Sequence, residues 1–303
     1  MRRLDPYRLV VLGGFGFDNL GDDLILESAL AQFRRILGNV EITVLSNNPF
    51  ETASRHKGEV VVFSAEALFR QVILRALSHV SSYHRRYILP IPRDSFRRLL
   101  VSLWKSDLVV SLGGGYLNDY SKFLTHSRLV ELFLIGLFRK RLVLYAHEIG
   151  PLRRLSLRLL ARLALRYVTY ATVRDEKSVE VLSGLGILNE RVKVTADEGW
   201  VYDPNIPPAI HSDDDSARGE LTVAVNLMPF QVVANVFRSS TTKRLSDEKL
   251  NDQILSLILS CLDSLAPGRR RFLLLPMSSQ DLTICSKLQA LLRGRVACEN
   301  RVA

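Results

Sequence analysis

Residues 8–23 read RLVVLGGFGFDNLGDD, an apolar run that stops abruptly at a glycine-rich turn. The run of Leu and Val is typical of a strand buried in a parallel sheet. Residues 22–37 then place apolar side chains at helical spacing, and Gly38 predicts the end of that helix. A second apolar run follows at residues 41–45. The order strand, helix, strand predicts a βαβ unit in which the glycine-rich turn joins the first strand to the helix.

The same alternation continues and predicts one doubly wound parallel sheet that extends to about residue 203. Its further strands are predicted at residues 60–63, 107–112, 142–146, 170–173 and 192–195. Its further helices are predicted at residues 65–80, 96–104, 129–138, 155–167 and 179–185. Ser46-Asn47-Asn48-Pro49 is a turn signal after the second strand.

A second domain is predicted beyond a polar segment. Residues 206–219 are rich in Pro, Ser and Asp, which predicts a linker between an N-terminal domain at residues 1–205 and a C-terminal domain at residues 220–303. Strands at residues 221–227 and 271–275 alternate with helices at residues 247–265 and 281–292. The expected fold class is therefore α/β with two Rossmann-like domains, of which the second is short and carries two or three strands.

The composition is that of a folded globular protein. Of the 303 residues, 47% are hydrophobic and 24% are charged, which excludes global disorder. No apolar run reaches the length of about 18 residues that a membrane span needs, and the N-terminus lacks a signal-peptide pattern, so a cytoplasmic location is expected. The three cysteines form no CxxC pair and no metal-ligand spacing appears, so we expect neither a metal nor a cofactor.

The net charge of +10 is concentrated in two segments. Residues 70–105 contain a single acidic residue, Asp94, and residues 139–166 contain only Glu148. Such surfaces favour anionic partners such as phosphorylated substrates, acidic lipid headgroups or nucleic acid. A solvated helix surface is the alternative interpretation.

Polar or glycine-rich residues follow each of five predicted strands. In open α/β sheets, ligands bind at the carboxyl ends of the strands, so these residues are the candidate site. The candidates for substrate binding are Gly14, Gly16, Asn19, Asp22, Gly113, Gly114, Gly115, Asp119, Arg174 and Asp197, and the candidates for acid–base catalysis are His147 and Glu148. The first loop has no Lys-Ser/Thr pair and its third glycine is displaced, so it is neither a P-loop nor a dinucleotide-binding loop.

Each candidate also has an ordinary structural interpretation. Asp22 and Asp23 are placed to cap the first helix, and Gly113–Gly115 is also compatible with a simple turn. Arg174 could bind a phosphate or a carboxylate, or form an ion pair with the neighbouring Asp175 or Glu176. His147 is an acid–base candidate or a loop histidine without a chemical task.

Five segments in this order resemble the polysaccharide pyruvyl transferase family. They are Gly14–Asp23, Ser111–Asp119, Ile149–Leu152, Thr172–Ser178 and Ala196-Asp197. In the second domain, Leu275–Asp281 resembles the strand-end proline and later aspartate of the family. The resemblance implies two Rossmann-like domains in a GT-B-like arrangement. It also implies transfer of pyruvate from phosphoenolpyruvate to two hydroxyls of a sugar, which forms a ketal in a cell-surface polysaccharide or exopolysaccharide of the cell envelope.

The resemblance implies phosphoenolpyruvate and a glycan or lipid-linked sugar acceptor as partners. The two basic segments also suit a peripheral contact with an anionic membrane at its inner face. Nucleic acid is not expected, and a homo-oligomer stays open. Arg174 occupies the family position that is associated with the donor.

Two departures from the family pattern are visible. The family usually has glycine and glutamine where this chain has His147 and Glu148, and its late Arg-Leu-His motif does not occur in this sequence. The alternatives are therefore an active pyruvyl transferase, a GT-B-like glycosyltransferase that uses a nucleotide sugar, and a shortened, catalytically inactive binding relative.

Overall fold

The protein is described here by a computed structural model. It describes residues 5–78, 88–119, 122–187, 189–201, 221–227, 252–253, 255–260, 270–278, 281–292 and 298–299. The chain divides into two compact units, Met1–Asp203 and Pro204–Ala303. The predicted linker at residues 206–219 lies outside the described residues.

Unit 1 is built on a parallel sheet of seven strands. The strands are β1 (Tyr7–Leu12), β2 (Val40–Ser46), β3 (Val60–Phe63), β4 (Leu108–Leu112), β5 (Arg141–His147), β6 (Val168–Val173) and β7 (Val192–Val194). Their order across the sheet is β3-β2-β1-β4-β5-β6-β7, so the winding reverses between β1 and β4. Ligands of doubly wound sheets bind at such a reversal, outside the carboxyl ends of the strands.

Helices connect these strands in the alternation that the sequence predicts. They are α1 (Leu20–Leu37), α2 (Pro49–Arg55), α3 (Ala65–Ser78), α4 (Ser95–Lys105), α5 (Lys122–Leu137), α6 (Leu155–Leu165) and α7 (Glu176–Gly184). Two short 3₁₀ turns follow, at Asn189–Arg191 and Glu198–Val201.

Two helix starts differ from the sequence prediction. The turn at Ser46–Pro49 is present as bends at residues 47 and 48. The short helix α2, which was not predicted, then starts at Pro49, because proline is well tolerated at the first position of a helix. Helix α5 begins at Lys122, seven residues before the predicted start at residue 129. Residues 125–128 read Thr-His-Ser-Arg, and this polar stretch interrupts the hydrophobic pattern before Leu129.

The core of unit 1 has one layer on each face of the sheet. Residues of α4, α5 and α6, such as Leu99, Leu132 and Leu157, form one buried cluster. Ile25, Leu26 and other residues of α1 form the second cluster on the opposite face. Since full burial of a leucine side chain contributes roughly 1.5–3 kcal/mol, these layers hold the strand ends in place.

Among the described residues of unit 2, a parallel sheet has three strands in the order β10-β9-β8. The strands are β8 (Leu221–Val225), β9 (Arg270–Leu274) and β10 (Cys298–Glu299), and α8 spans Leu282–Leu292. Ile284 and Leu288 of α8 pack with Leu255 and Leu274 in the core of this unit.

Among the helices of the described residues, none combines the length and the apolar character that crossing a bilayer would require.

Candidate functional site

The loop after β1 requires glycine because of close backbone contacts. The amide of Asn47 donates to the Phe15 carbonyl oxygen at 3.0 Å, which holds the loop against the end of β2. Gly16 has a φ of 79°, and a side chain there would overlap the backbone nitrogen of Asn48. Asn19 is the N-cap of α1, and its side-chain oxygen accepts from the Gly21 amide at 2.9 Å. The alternative that Asp22 or Asp23 caps this helix is therefore wrong; a ligand contact for Asn19 stays a prediction.

Asp22 and Asp23 are neighbours in sequence with opposite electrostatic environments. Burial is the main cause that raises the pKa of Asp22 from 3.8 to about 6, although a hydrogen bond from Tyr116 and the charges of Arg128 and Arg174 act against it. Burial also acts to raise the pKa of Asp23, but hydrogen bonds from His56 and Arg55 outweigh it, and the net pKa is lowered. Asp23 is therefore a structural anion, whereas Asp22 exchanges its proton near neutral pH.

Tyr116 connects the loops that follow β1 and β4. Its hydroxyl donates to Asp22 Oδ1 at 2.5 Å, and a side chain at Gly14 or Gly114 would overlap its ring. Burial and the nearby carboxylate of Asp22 raise the pKa of Tyr116 well above its ordinary value, so the phenol keeps its proton and donates it. Gly14 and Gly114 thus leave room for the ring of Tyr116, a residue that was not among the predicted site residues.

Gly113 and Asp119 hold the β4 loop against the β5 loop. A side chain on Gly113 would overlap the carbonyl oxygen of Ala146, so only glycine permits this approach. The Asp119 amide donates to the Pro151 carbonyl at 2.9 Å, and Asp119 Oδ2 accepts from the Arg153 amide. Gly113–Gly115 is thus more than a simple turn. A substrate contact for Asp119 stays a prediction.

Arg174 follows β6 and is held from two sides. Its Nε donates to the Ala146 carbonyl at 2.7 Å, and its Nη1 lies 2.6 Å from Asp197 Oδ2. The acid that pairs with Arg174 is therefore Asp197, not Asp175, which instead caps α7 by accepting from the Ser178 amide at 2.7 Å. Nη2 of Arg174 is buried and has no hydrogen-bond partner among the residues that the structure describes. A fixed guanidinium with an unpaired NH2 group is suited to bind an anionic ligand.

His147 and Glu148 follow β5 but occupy different surroundings. The His147 side chain is fully buried, and its Nε2 lies 3.0 Å from the Ser111 carbonyl oxygen. Burial lowers the pKa of His147 to about 3, so the imidazole is neutral at physiological pH. This position is structural, and burial argues against the acid–base task that the sequence predicts for His147. Glu148 is exposed, and its carboxylate lies beside Gly115 at the edge of the sheet.

Arg128, a buried arginine that the sequence did not predict as a site residue, supports the loop after β1. Arg128 lies on α5 between Glu66 and Glu131, at 2.9 and 2.6 Å, and it donates to the Gly13 carbonyl at 2.7 Å. Burial disfavours its charge, but the two carboxylates outweigh this and raise the pKa of Arg128. The available signal was a cation three residues before an acid within an apolar helix, a spacing that favours pairing.

The predicted residues therefore converge at the carboxyl edge of β1, β4, β5 and β6. Among the described residues, no group of three or more His, Cys, Asp or Glu side chains is arranged to hold a metal ion. The arrangement offers a carboxyl group that titrates near neutral pH and a fixed arginine with an unpaired donor. The fold is that of a Rossmann-like α/β protein, and its candidate site residues lie at the carboxyl ends of the strands.

The chain belongs to the polysaccharide pyruvyl transferase family, whose model matches residues 19–300. It is thus a member of a family of transferases that modify polysaccharides, as the resemblance of the five segments predicts. Among curated proteins, no sequence matches the chain.

Among solved structures, the chain is similar to HepE (Alr3699) of Anabaena. With the HepE complex with UDP-glucose it shares 14% identity over 97% of this chain and 69% of HepE, with a TM-score of 0.53. With the HepE complex with UDP the identity is 14% and the TM-score is 0.54, again over 97% of this chain and 69% of HepE. This likeness concerns the fold alone, and it confirms the predicted α/β, GT-B-like fold class.

Proposed function

We propose that this protein transfers pyruvate from phosphoenolpyruvate to a sugar of a cell-surface polysaccharide or of its lipid-linked precursor, forming a ketal. The observation that carries the proposal is the Asp22 carboxyl group, which has a pKa of about 6, in the electrostatic field of Arg174. Family membership supports the same reaction.

Arg174 is the proposed donor-binding residue. Phosphoenolpyruvate carries a phosphate and a carboxylate, and a guanidinium binds either group through paired hydrogen bonds. Ala146 and Asp197 fix the orientation of the guanidinium through Nε and Nη1, which directs the unpaired Nη2 toward one position. Backbone amides of the glycine loops after β1 and β4 supply further donors for the anion.

Asp22 is the proposed acid–base group. Ketal formation requires a proton on the methylene carbon of the donor and attack of one sugar hydroxyl, which loses its proton, on the adjacent carbon. The bond from this carbon to the phosphate oxygen then breaks, and the second hydroxyl attacks the same carbon while its proton leaves with the phosphate. A carboxyl group with a pKa of about 6 is both protonated and ionised in adequate amounts near neutral pH, so it can give one proton and accept another. Tyr116 holds this carboxyl in position through its hydroxyl group.

Glu148 is retained as a second carboxylate at the site because it is exposed beside Gly115. In this scheme His147 is a positioning residue: its neutral imidazole binds the Ser111 backbone at the end of β4 and fixes the register of β4 and β5.

The proposal is tested by phosphate release. The protein is incubated with phosphoenolpyruvate and a panel of glycan-lipid acceptors, beside an active member of the family. We expect acceptor-dependent phosphate release, which Asp22→Asn abolishes, because an amide cannot transfer the proton. Asp23→Asn is the matched control and should retain most of the activity. The absence of release with every acceptor, while the relative is active, would contradict the proposal.

A nucleotide-sugar glycosyltransferase is the second candidate, since HepE, which shares the fold, has been crystallised with UDP-glucose. The two candidates differ in the ligand that stabilises the folded protein. Phosphoenolpyruvate should raise the melting temperature more than UDP-glucose does if pyruvyl transfer is correct. The reverse ranking would favour the glycosyltransferase, and no shift with either ligand would favour a catalytically inactive binding relative.

A further inference from the structure

Three neighbouring helices on one face of the unit 1 sheet expose large apolar side chains to solvent. Helices α4, α5 and α6 share one buried core cluster, so they belong to the same layer. We name their solvent-facing side the outer helix face. Its exposed apolar residues are Phe96, Val101, Trp104, Val130, Leu134, Leu137, Leu155, Leu159 and Leu163. Contiguous apolar surface on a globular protein usually marks an interaction site.

The apolar residues follow helical spacing and therefore form stripes. Val130, Leu134 and Leu137 lie along one side of α5, and Leu155, Leu159 and Leu163 lie along one side of α6. In α4, Trp104 is 73% exposed and Phe96 is 63% exposed. The inner sides of the same helices supply core residues, so each helix is apolar on two sides. Packing among the described residues explains only one of them.

The charge on this face has a single sign. The exposed ionisable residues of α4 and α6 are Arg97, Arg98, Lys105, Arg158 and Arg162. The only acidic residue within α4, α5 and α6 is Glu131, which is buried against Arg128. Among the described residues, no ion pair joins Arg97, Arg98 or Arg158 to an acid.

We propose that the outer helix face docks the protein on an anionic lipid surface. Apolar and aromatic side chains enter the boundary between headgroups and acyl chains, while Arg and Lys bind the acidic headgroups; interfacial helices use this combination. A second copy of the chain fits less well, because a symmetric interface would bring cations against cations. The inference goes beyond the proposed function, since it depends on none of the residues of the candidate site.

The two tryptophans of the chain provide an internal comparison. Trp104 lies on the outer helix face, whereas Trp200 is 84% exposed in the turn after β7, outside α4, α5 and α6. The Trp200→Phe variant keeps Trp104 as its only tryptophan. The Trp104→Phe variant keeps Trp200 as its only tryptophan. Fluorescence is measured with vesicles of phosphatidylcholine alone and with vesicles that contain phosphatidylglycerol, in the absence of any donor or acceptor.

The expected result is a blue shift of Trp104 emission and protection from acrylamide on the anionic vesicles, with no change for Trp200. Binding should be at least tenfold weaker on the neutral vesicles and should weaken with salt. A shift confined to Trp200, or equal binding to both kinds of vesicle, would overturn the proposal. A shift of Trp104 emission that depends on protein concentration in the absence of vesicles would instead identify an interface between copies of the chain. That result would also overturn the proposal.

A charge-matched pair of variants tests the basic component. Arg97→Gln with Arg98→Gln removes two cations from α4, and Lys57→Gln with Lys193→Gln removes two exposed cations from elsewhere. We expect the first pair to weaken vesicle binding roughly 30-fold and the second pair to change it by less than about threefold. Equal effects of the two pairs would show that only net charge matters and would refute docking through this face.

Discussion

The carboxyl edge of the sheet and the outer helix face depart in opposite ways from the usual distribution of polar and apolar groups. At the edge, Arg128 and Glu131 are buried charges, and the guanidinium of Arg174 has a buried NH2 group that no described residue pairs with. On the outer helix face, by contrast, Trp104 and Leu155 are more than 70% exposed.

Buried polar groups and exposed apolar groups affect the free energy of the folded protein in different ways. A buried polar group costs free energy unless it is paired, so its presence indicates a selected position for chemistry or for support of chemistry. An exposed apolar group costs little in the folded protein but favours association with another apolar phase. Substitutions at the edge should therefore change activity and stability, whereas substitutions on the outer helix face should change only lipid binding.

The largest expected effect is at Arg174. Arg174→Ala should weaken phosphoenolpyruvate binding roughly 100-fold, because the charge-assisted hydrogen bonds to the donor are lost. Isothermal titration calorimetry measures the dissociation constant, and Arg158→Ala on the outer helix face is the matched control with no expected effect. If Arg174→Ala unfolds the protein while the more conservative Arg174→Lys binds normally, the residue is structural and the proposed donor site is refuted.

Gly113 tests the close approach of the β4 and β5 loops. Gly113→Ala should lower the free energy of unfolding by about 2–4 kcal/mol, since the new methyl group overlaps the backbone carbonyl of Ala146. Gly184→Ala is the control, because nothing lies within 4 Å of its added methyl group. Urea denaturation measures both variants. A loss below about 0.5 kcal/mol for Gly113→Ala would show that the two loops are not held in this register.

Asp22 and Asp23 should respond to pH with opposite signs. The folded-state pKa of Asp22 lies above its ordinary 3.8, so its favourable contribution is complete below that value and is lost as the pH rises through about 6. Asp22→Asn should therefore raise the free energy of unfolding at pH 7.5 by about 1–3 kcal/mol and leave it unchanged at low pH.

Asp23 has a lowered pKa, so its contribution is present at pH 7.5 and is lost on acidification. Asp23→Asn should accordingly destabilise the protein at pH 7.5, and urea denaturation across pH measures both signs. The same sign for both variants would contradict the distinction between a proton-exchanging and a structural aspartate.

The smallest effect is expected on the outer helix face. Leu159→Ala should change the free energy of unfolding by less than about 0.5 kcal/mol, whereas Leu157→Ala, two residues away and fully buried, should cost about 2–5 kcal/mol. Thermal and urea unfolding compare the pair. A large cost at Leu159 would mean that its side chain is packed against protein, which would contradict an exposed docking face.

Much of the fold can be predicted from the sequence because buried parallel strands are continuous apolar runs that end at glycine or polar residues. The strands around residues 8–12, 107–112 and 142–146 were found for this reason, and the structure confirms them as β1, β4 and β5. Helix α2 and the start of α5 were missed. A seven-residue helix that begins at proline resembles a turn, and the polar residues 125–128 interrupt the hydrophobic pattern of α5.

The sequence predicted where the candidate site lies, but it did not predict what each of its side chains contacts. Strand ends converge in any parallel sheet, so the candidate loops could be named from the order of elements alone. Tyr116 and Arg128 could not be found in this way, because one lies behind a glycine run and the other within an apolar helix. Their functions depend on contacts with Asp22 and with Gly13 from distant parts of the chain.

The sequence by itself determined the α/β class, the order of elements, the family and the loops that form the candidate site, since these depend on local patterns and short motifs. Tertiary structure alone decided which aspartate has a raised pKa, which acid pairs with Arg174 and that His147 is buried. It also decided that apolar residues of three separate helices share one exposed face. The reason is physical: burial and electrostatic fields arise from neighbours that are distant in sequence, and they set both the pKa of a side chain and its exposure.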